Sequence, residues 1–415
     1  MNNRNALIDE PSGRASNGNG ASGTSRAKLW VATMGGSEHG QVVTPHKEPI
    51  EYIPFEGPRE VPANRGQQAL LDLQARLDLE LQTFSPSATL STPGFYRAQN
   101  KPVKDHRDDL PLVGLDLRTR FEKDRDRIQH FEAFRRLSYK TQVHLNPDDH
   151  QRTRMTHTIE VNQIACAISS ALRLNVALTS AIALGHDCGH GPGGHASEDA
   201  LNPYLPEGFN HAKFGADVTL VPLNLCIETL DGIRNHSWSL DTPMTPEGDV
   251  VSFADRIAYV CHDLEDALRC QMVTSKDFPK ELAAFMSLTR SEQIDFFIRS
   301  VIEGTSTSGS IAMLKEGAEI LKGLRAFNNE KIYQHPISVA ANEDVIKTLR
   351  ELVDFYIDNP GQLPEKQRSK IDQGVHSEVE GVVAYVAGMT DNFAYRDHLE
   401  KIQRQHPLDG GVHFL

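Results

Sequence analysis

The sequence predicts an all-α fold, and two observations carry that expectation. From about residue 118 onward, apolar residues recur at helical spacing: "VNQIACAISSAL" puts Ile164, Ile168, Ala171 and Leu172 on one face, and "DRIAYVCHDLEDALR" does the same with Ile257, Cys261, Leu264 and Leu268. No stretch alternates convincingly at period two, and no hairpin turn stands out. With 39% hydrophobic and 24% charged residues in 415, most of the chain should fold, into one large core or two or three lobes.

The elements follow in order. Residues 1–65 contain "SGRASNGNGASGTSR" and scattered prolines. Such a composition buries too little apolar surface to offset its ordering entropy, so a disordered or loosely ordered, flexible tail is expected. Residues 66–117 begin with "GQQALLDLQARLDLELQT", whose leucines predict a helix over 66–83, followed by a connecting segment. Residues 118–275 form the helical core and 276–415 a C-terminal helical region. Turns are expected at "NPYLPEG" and "DTPMTPEG", and no internal repeat is present.

Composition excludes several classes. Asp and Glu outnumber Lys and Arg 56 to 43, a net charge of −13, which argues against a protein built mainly to coat nucleic acid. The five cysteines (Cys166, Cys188, Cys226, Cys261 and Cys270) form no CxxC pair and read as mostly buried thiols of a reducing compartment. No apolar run approaches the roughly 20 residues that span a bilayer. The N-terminus lacks the apolar core of a signal peptide, so no membrane partner and a cytoplasmic location are expected.

The chemistry concentrates in "ALGHDCGHGPGGH", residues 183–195. "NVALTSAIALGHD" reads as a helix ending near Cys188, with His186 and Asp187 on its last turn. An imidazole beside a carboxylate is a mixed ligand pair suited to Mn, Fe, Zn or Mg. Adjacent helical residues point about 100° apart, so both reach one ion only at a helix end or a distortion, and the glycines that follow permit one. His157, in "RTRMTHTIEV", shares an inward face with Ile164 and Ile168. Asp255, in "VSFADRIAYV", lies within another apolar helix. A shared metal would explain both. The bland alternatives are a satisfied core histidine and a salt-bridged or capping aspartate. The joint order of His, His-Asp and Asp before a glycine run favours the metal.

Six segments in order, "DRDRIQHFEAFRRLSYKTQVH", "RTRMTHTIEV", "AIALGHDCGHGPGGHASEDAL", "NLCIETLDGIRNHS", "FADRIAYVCHDLEDAL" and "VAGMTDNFA", make the chain resemble the HD-domain superfamily of metal-dependent phosphohydrolases. It is most similar to the deoxynucleoside triphosphate triphosphohydrolase branch, the dGTPase-like proteins. The stringent-response hydrolases usually carry HDxxED, and the cyclic-di-GMP branch carries a GYP motif; neither occurs here.

The resemblance implies an HD-domain helical core with an additional C-terminal lobe that completes the nucleotide pocket and the oligomer contacts. It implies His157, His186, Asp187 and Asp255 as ligands of a divalent ion: Mn, Mg or Fe, with Zn or Co as further options. It implies His195 as catalytic histidine and Glu198 as its carboxylate; if "HASEDAL" starts a helix the two can touch at i, i+3. A first-turn or capping-box acid is the plain alternative for Glu198. His190 and His211 match histidines of the phosphate channel, although Ala212, Phe214 and Gly215 depart from the pattern after His211. Arg154 matches a phosphate-contacting arginine and Gln142 a residue on the sugar 3′-hydroxyl.

Asp255, Tyr259 and Asp263, at i, i+4 and i+8, line one helix face. By resemblance Tyr259 packs on the sugar and Asp263 accepts from its 3′-hydroxyl. Tyr333 resembles the tyrosine that excludes a ribose 2′-hydroxyl, with a core tyrosine as the plain alternative, and Arg325 matches a phosphate-contacting Arg loosely. Residues 118–154 carry ten Lys or Arg against six Asp or Glu. For Arg125, Arg127, Arg135 and Arg136, a solvated helix face and a ligand contact stay open. The activity implied is hydrolysis of deoxynucleoside triphosphates, dGTP or several, to deoxynucleoside and tripolyphosphate. The partners implied are the dNTP, further copies of the chain in a tetramer or hexamer, and an allosteric dNTP or single-stranded DNA. Two other classes remain. An HD-type nucleotidase or phosphodiesterase would not need Arg154, Gln142, Tyr259 and Asp263 together. Against a catalytically silent nucleotide sensor stand the intact His195 and Glu198.

Overall fold

A computed structural model describes residues 118–143 and 151–403, together with the backbone of 95–96 and 101–102. The expected tail over 1–65 and helix over 66–83 lie outside the described residues. A two-residue antiparallel ladder pairs β1 (Phe95–Tyr96) with β2 (Lys101–Pro102). Strands this short carry no readable period-two signal.

The principal helices are α1 (Arg120–His130), α2 (Glu132–Arg136), α3 (Arg154–Ala171), α4 (Val176–Gly185), α5 (His195–Leu201), α6 (Ile227–Arg234), α7 (Pro246–Arg269), α8 (Arg290–Ser308), α9 (Lys315–Asn328), α10 (Pro336–Asp358), α11 (Glu365–Asp372), α12 (Glu378–Ala387) and α13 (Asp391–His398). Local chemistry sets several of their starts. Thr119 and Glu122 close a capping box on α1, with Oγ1 accepting from Glu122 N at 3.3 Å and Oε2 accepting from Thr119 N at 2.7 Å. Thr245 caps α7 ahead of Pro246, so the last residues of the predicted turn "DTPMTPEG" begin a helix instead.

Two apolar clusters hold the helices together. The first packs α1, α3, α4, α6 and α7, with Ile128, Ile164, Ile168, Ile182 and Ile257 fully buried, and extends to Phe297 in α8 and Leu324 in α9. The second joins α5, α10, α12 and α13 through Leu201, Leu352, Val353, Val382 and Val386. Packing therefore does not follow a line between 275 and 276. α8 and α9 extend the first core, and α5 belongs to the second.

The expected apolar faces are real within the helices and fade at their ends: Ala171 and Leu268 are exposed because each sits in its helix's last turn. Cys188, Cys226 and Cys261 are buried, Cys166 is half-buried, Cys270 is exposed, and all five are free thiols. No described helix is long and apolar enough to cross a membrane.

Candidate active site

α4 ends at Gly185, earlier than its sequence suggests, so His186 is its C-cap and Asp187 lies in the turn beyond. His186 Nδ1 donates to Ala183 O at 2.6 Å, which leaves Nε2 as the lone-pair nitrogen. That Nε2 is buried and makes no hydrogen bond. It faces Asp187 Oδ1 at 3.4 Å and Asp255 Oδ1 at 3.8 Å. Asp255 Oδ1 is also 3.1 Å from His157 Nε2. α3, the end of α4 and α7 thus bring His157, His186, Asp187 and Asp255 together. A buried imidazole nitrogen without a partner, facing two carboxylates, fits a divalent ion of the Mn, Fe, Mg or Zn kind.

The electrostatics agree. Burial alone would raise the Asp187 carboxyl, yet His186, Arg154 and His190 around it hold it well below the usual range. Burial would likewise raise Asp255, but its bond to His157 and the nearby His186 pull it far down. Arg154, at the first turn of α3, is buried and gives Nη1 to Asp187 Oδ2 at 2.8 Å. Its Nε and Nη2 are buried without a partner.

α5 carries the second group. His195 Nδ1 meets Glu198 Oε2 at 3.0 Å, and the His195 side chain is 73% exposed. The other oxygen of Glu198 accepts from the backbone N of His211 at 2.9 Å and faces its Nδ1 at 2.8 Å. Burial works to raise Glu198, but His195 and His211 overcome it and hold the carboxylate strongly ionised. Glu198 is therefore not merely a first-turn acid. His190 stacks on His211 at 3.7 Å and reaches Asp187 Oδ1 with Nε2 at 3.2 Å. Burial, then the Arg154 and His211 charges, keep His190 well below its ordinary value.

On the other side, Tyr333 donates to Asp263 Oδ2 at 2.6 Å. Burial raises Asp263 to about 7 against that bond. Tyr259 is half-buried and is raised to about 12 by burial, opposed by the charge of Arg325. Arg325 itself lies on the exposed face of α9 and makes no ion pair among the described residues. Gln142 sits beside the Thr141–Thr153 bridge at the foot of α3, its Oε1 buried and without a partner.

The basic stretch resolves toward structure. Arg125 binds Asp126, Arg127 reaches Leu223 O and Asn224 O, Arg135 reaches His130 O, and Arg136 reaches Gly388 O. Sequence reasoning passed over His236, in "NLCIETLDGIRNHS". Its Nδ1 donates to Ile233 O at 2.8 Å, its Nε2 lies 3.2 Å from His211 Nε2, and its ring centre is 5.0 Å from that of His186. Burial and the nearby His186 and His211 push it down to about 3. His186, Asp187 and His236 form a second trio with ligand atoms within 4.8 Å of one another. A histidine just past a helix end was the available signal.

These features are those of an HD-domain protein, and the HD domain family matches residues 154–260, which include all four donors. A phosphohydrolase-associated domain matches 311–400. A deoxyguanosinetriphosphate triphosphohydrolase-like protein of Caldanaerobacter subterraneus subsp. tengcongensis is 40% identical over 78% of this chain and 93% of its own length. Proteins of the same description from Clostridium perfringens (38% identity, 67% of this chain, 85% of theirs) and Roseobacter denitrificans (31%, 75% and 97%) match as well. The chain belongs to the deoxyguanosinetriphosphate triphosphohydrolase-like family.

Proposed function

We propose that the chain is a metal-dependent triphosphohydrolase that cleaves deoxynucleoside triphosphates to deoxynucleoside and tripolyphosphate. The observation that carries this reading is the convergence of His157, His186, Asp187 and Asp255, a buried arginine with unspent donors and the His195–Glu198 pair. The relatives' printed description supports the substrate class. A divalent ion held by His157, His186, Asp187 and Asp255 would supply Lewis-acid polarisation of a water and of the α-phosphate.

The remaining work falls to side chains. Arg154 offers Nε and Nη2 to phosphate oxygens, where a planar guanidinium binds bidentately and offsets the charge that develops as water adds to the α-phosphorus and the bond to the 5′-oxygen breaks. Glu198 fixes the His195 tautomer through Nδ1, so that Nε2 exchanges the proton on the 5′-oxygen side. Asp263 and Tyr259 hold the sugar, and Tyr333 crowds C2′ and disfavours a ribose. Incubation of the full chain with Mn²⁺ and each dNTP, read by phosphorus NMR, tests this. Tripolyphosphate with free deoxynucleoside is the expected product pair; orthophosphate would mean a nucleotidase chemistry instead.

A further inference from the structure

The "VAGMTDNFA" segment has no part in the chemistry above, yet its aspartate reaches the active-site backbone. We propose that Asp391, acting with Lys140, is a positioning residue that holds the glycine segment between His190 and His195 in its working path. The inference rests on the reading of His195 as the proton-transfer group.

Asp391 stands at the start of α13, far from the HD turn in sequence. One carboxylate oxygen accepts from Thr141 N at 2.8 Å and Thr141 Oγ1 at 2.6 Å; the other accepts from Gly193 N at 2.9 Å. A first-turn acid that only complemented its own helix would not spend both oxygens on other segments. Lys140, 3% exposed, donates from Nζ to the carbonyls of His190 and, at 3.0 Å, Ala387. The two side chains thus grip the segment at His190 O and Gly193 N.

What they grip needs holding. Gly193 and Gly194 have φ of +72° and +63°, a conformation few other residues adopt and one that glycine leaves readily. Gly194 is the residue before α5, and its carbonyl accepts from Ser197 N at 3.0 Å, so its path sets where His195 emerges. The same carboxylate holds Thr141, which bridges to Thr153 at the foot of α3, and Lys140 O accepts from Arg154 N at 3.1 Å. The glycine segment is thereby anchored against the foot of α3.

Asp391→Asn tests this. The amide has one acceptor oxygen for three donors, so at least one N–H loses its partner and faces an N–H₂ instead. A shift of about 1 Å in a reacting group costs on the order of 10²-fold in rate. The expected result is a kcat lower by about 10- to 100-fold, with KM and bound metal within about threefold of the parent.

In a His195→Ala background, Asp391→Asn should cost less than about threefold more, because the residue it positions is gone. Thr141→Val, which removes only the hydroxyl donor, should show the same pattern with a smaller fall. An equal penalty with and without His195, or an unchanged kcat, overturns the proposal. Amide exchange at Gly193 and Gly194, measured by NMR without nucleotide, reads the clamp directly. It should be at least about tenfold faster in Asp391→Asn than in the parent. Unchanged exchange overturns the clamp even if the parent turns over no dNTP, an outcome that would count separately against the proposed function.

Discussion

The first core offers its site residues from long, buried helices: His157 within α3, His186 and Asp187 just past α4, Asp255 within α7. The second core offers His195 and Glu198 from the first turn of a seven-residue helix, α5, whose far end is anchored by Ala200 and Leu201. His186 and His195 are nine positions apart in sequence, yet the apolar surfaces that fix them belong to different clusters. In the function proposed above, the ion set and the proton-transfer pair would thus rest on different apolar clusters, joined through His190 and His211, and the glycine segment between them is where the two must be brought into register.

The largest effect should come from the ion set. Asp187→Ala removes an anionic donor and also the partner of Arg154. Metal binding should weaken beyond the roughly 10–100-fold typical of losing an outer-shell partner, with turnover lost. Elemental analysis of parent and variant checks this, and undiminished metal content would remove Asp187 from the set.

Next in size is His195→Ala. The rate should fall about 10²–10⁴-fold, the range for a general acid–base group, with metal content unchanged. A variant that loses its metal as well would break the separation of the two cores.

Cavities sharpen the comparison further. Ile164→Ala in the first core and Leu352→Ala in the second, both at fully buried positions, should each cost about 2–5 kcal/mol in denaturant unfolding. Only Ile164→Ala should also lower metal affinity; Leu352→Ala should lower kcat with the metal retained. Equal effects on metal binding would show that the cores act as one.

The smallest expected effect is a pH slope within the first core. Asp124 accepts from Cys226 N at 2.7 Å and Thr229 Oγ1 at 2.9 Å, and burial raises it from 3.8 to about 6 despite them. A carboxyl raised on folding favours the protonated fold. Its contribution is complete below pH 3.8 and is lost as pH rises through about 6. Melting temperatures of the parent and Asp124→Asn over that window check it. The difference between the two curves should follow this slope, and parallel curves would remove Asp124 as its source.

The HD turn and its partners were legible because metal donors on apolar helix faces are anomalous, and periodicity marks which faces turn inward. His157 and Asp255 show this, as do the long helices that carry them. The end of α4 falls at Gly185, ahead of the expected Cys188, because a single glycine inside an apolar run is a weak stop signal by itself. Lys140 and Asp391 are not legible as site residues, whereas His236 carries only the weak signal of its place past a helix end. Each matters through contacts across the chain, such as Asp391 on Gly193, and no local spacing encodes a long-range hydrogen bond. The basic stretch could not be resolved either, because Arg127 and Arg136 find backbone carbonyls nearly a hundred or more residues away.

Hydrolysis in heavy-oxygen water tests most directly the central claim, that water attacks the α-phosphorus and the bond to the 5′-oxygen breaks. After turnover of a dNTP by the Mn²⁺-loaded chain, mass spectrometry locates the label. The account predicts one heavy oxygen in tripolyphosphate and none in the deoxynucleoside. Label in the 5′-hydroxyl, or release of labelled orthophosphate in place of tripolyphosphate, would contradict it.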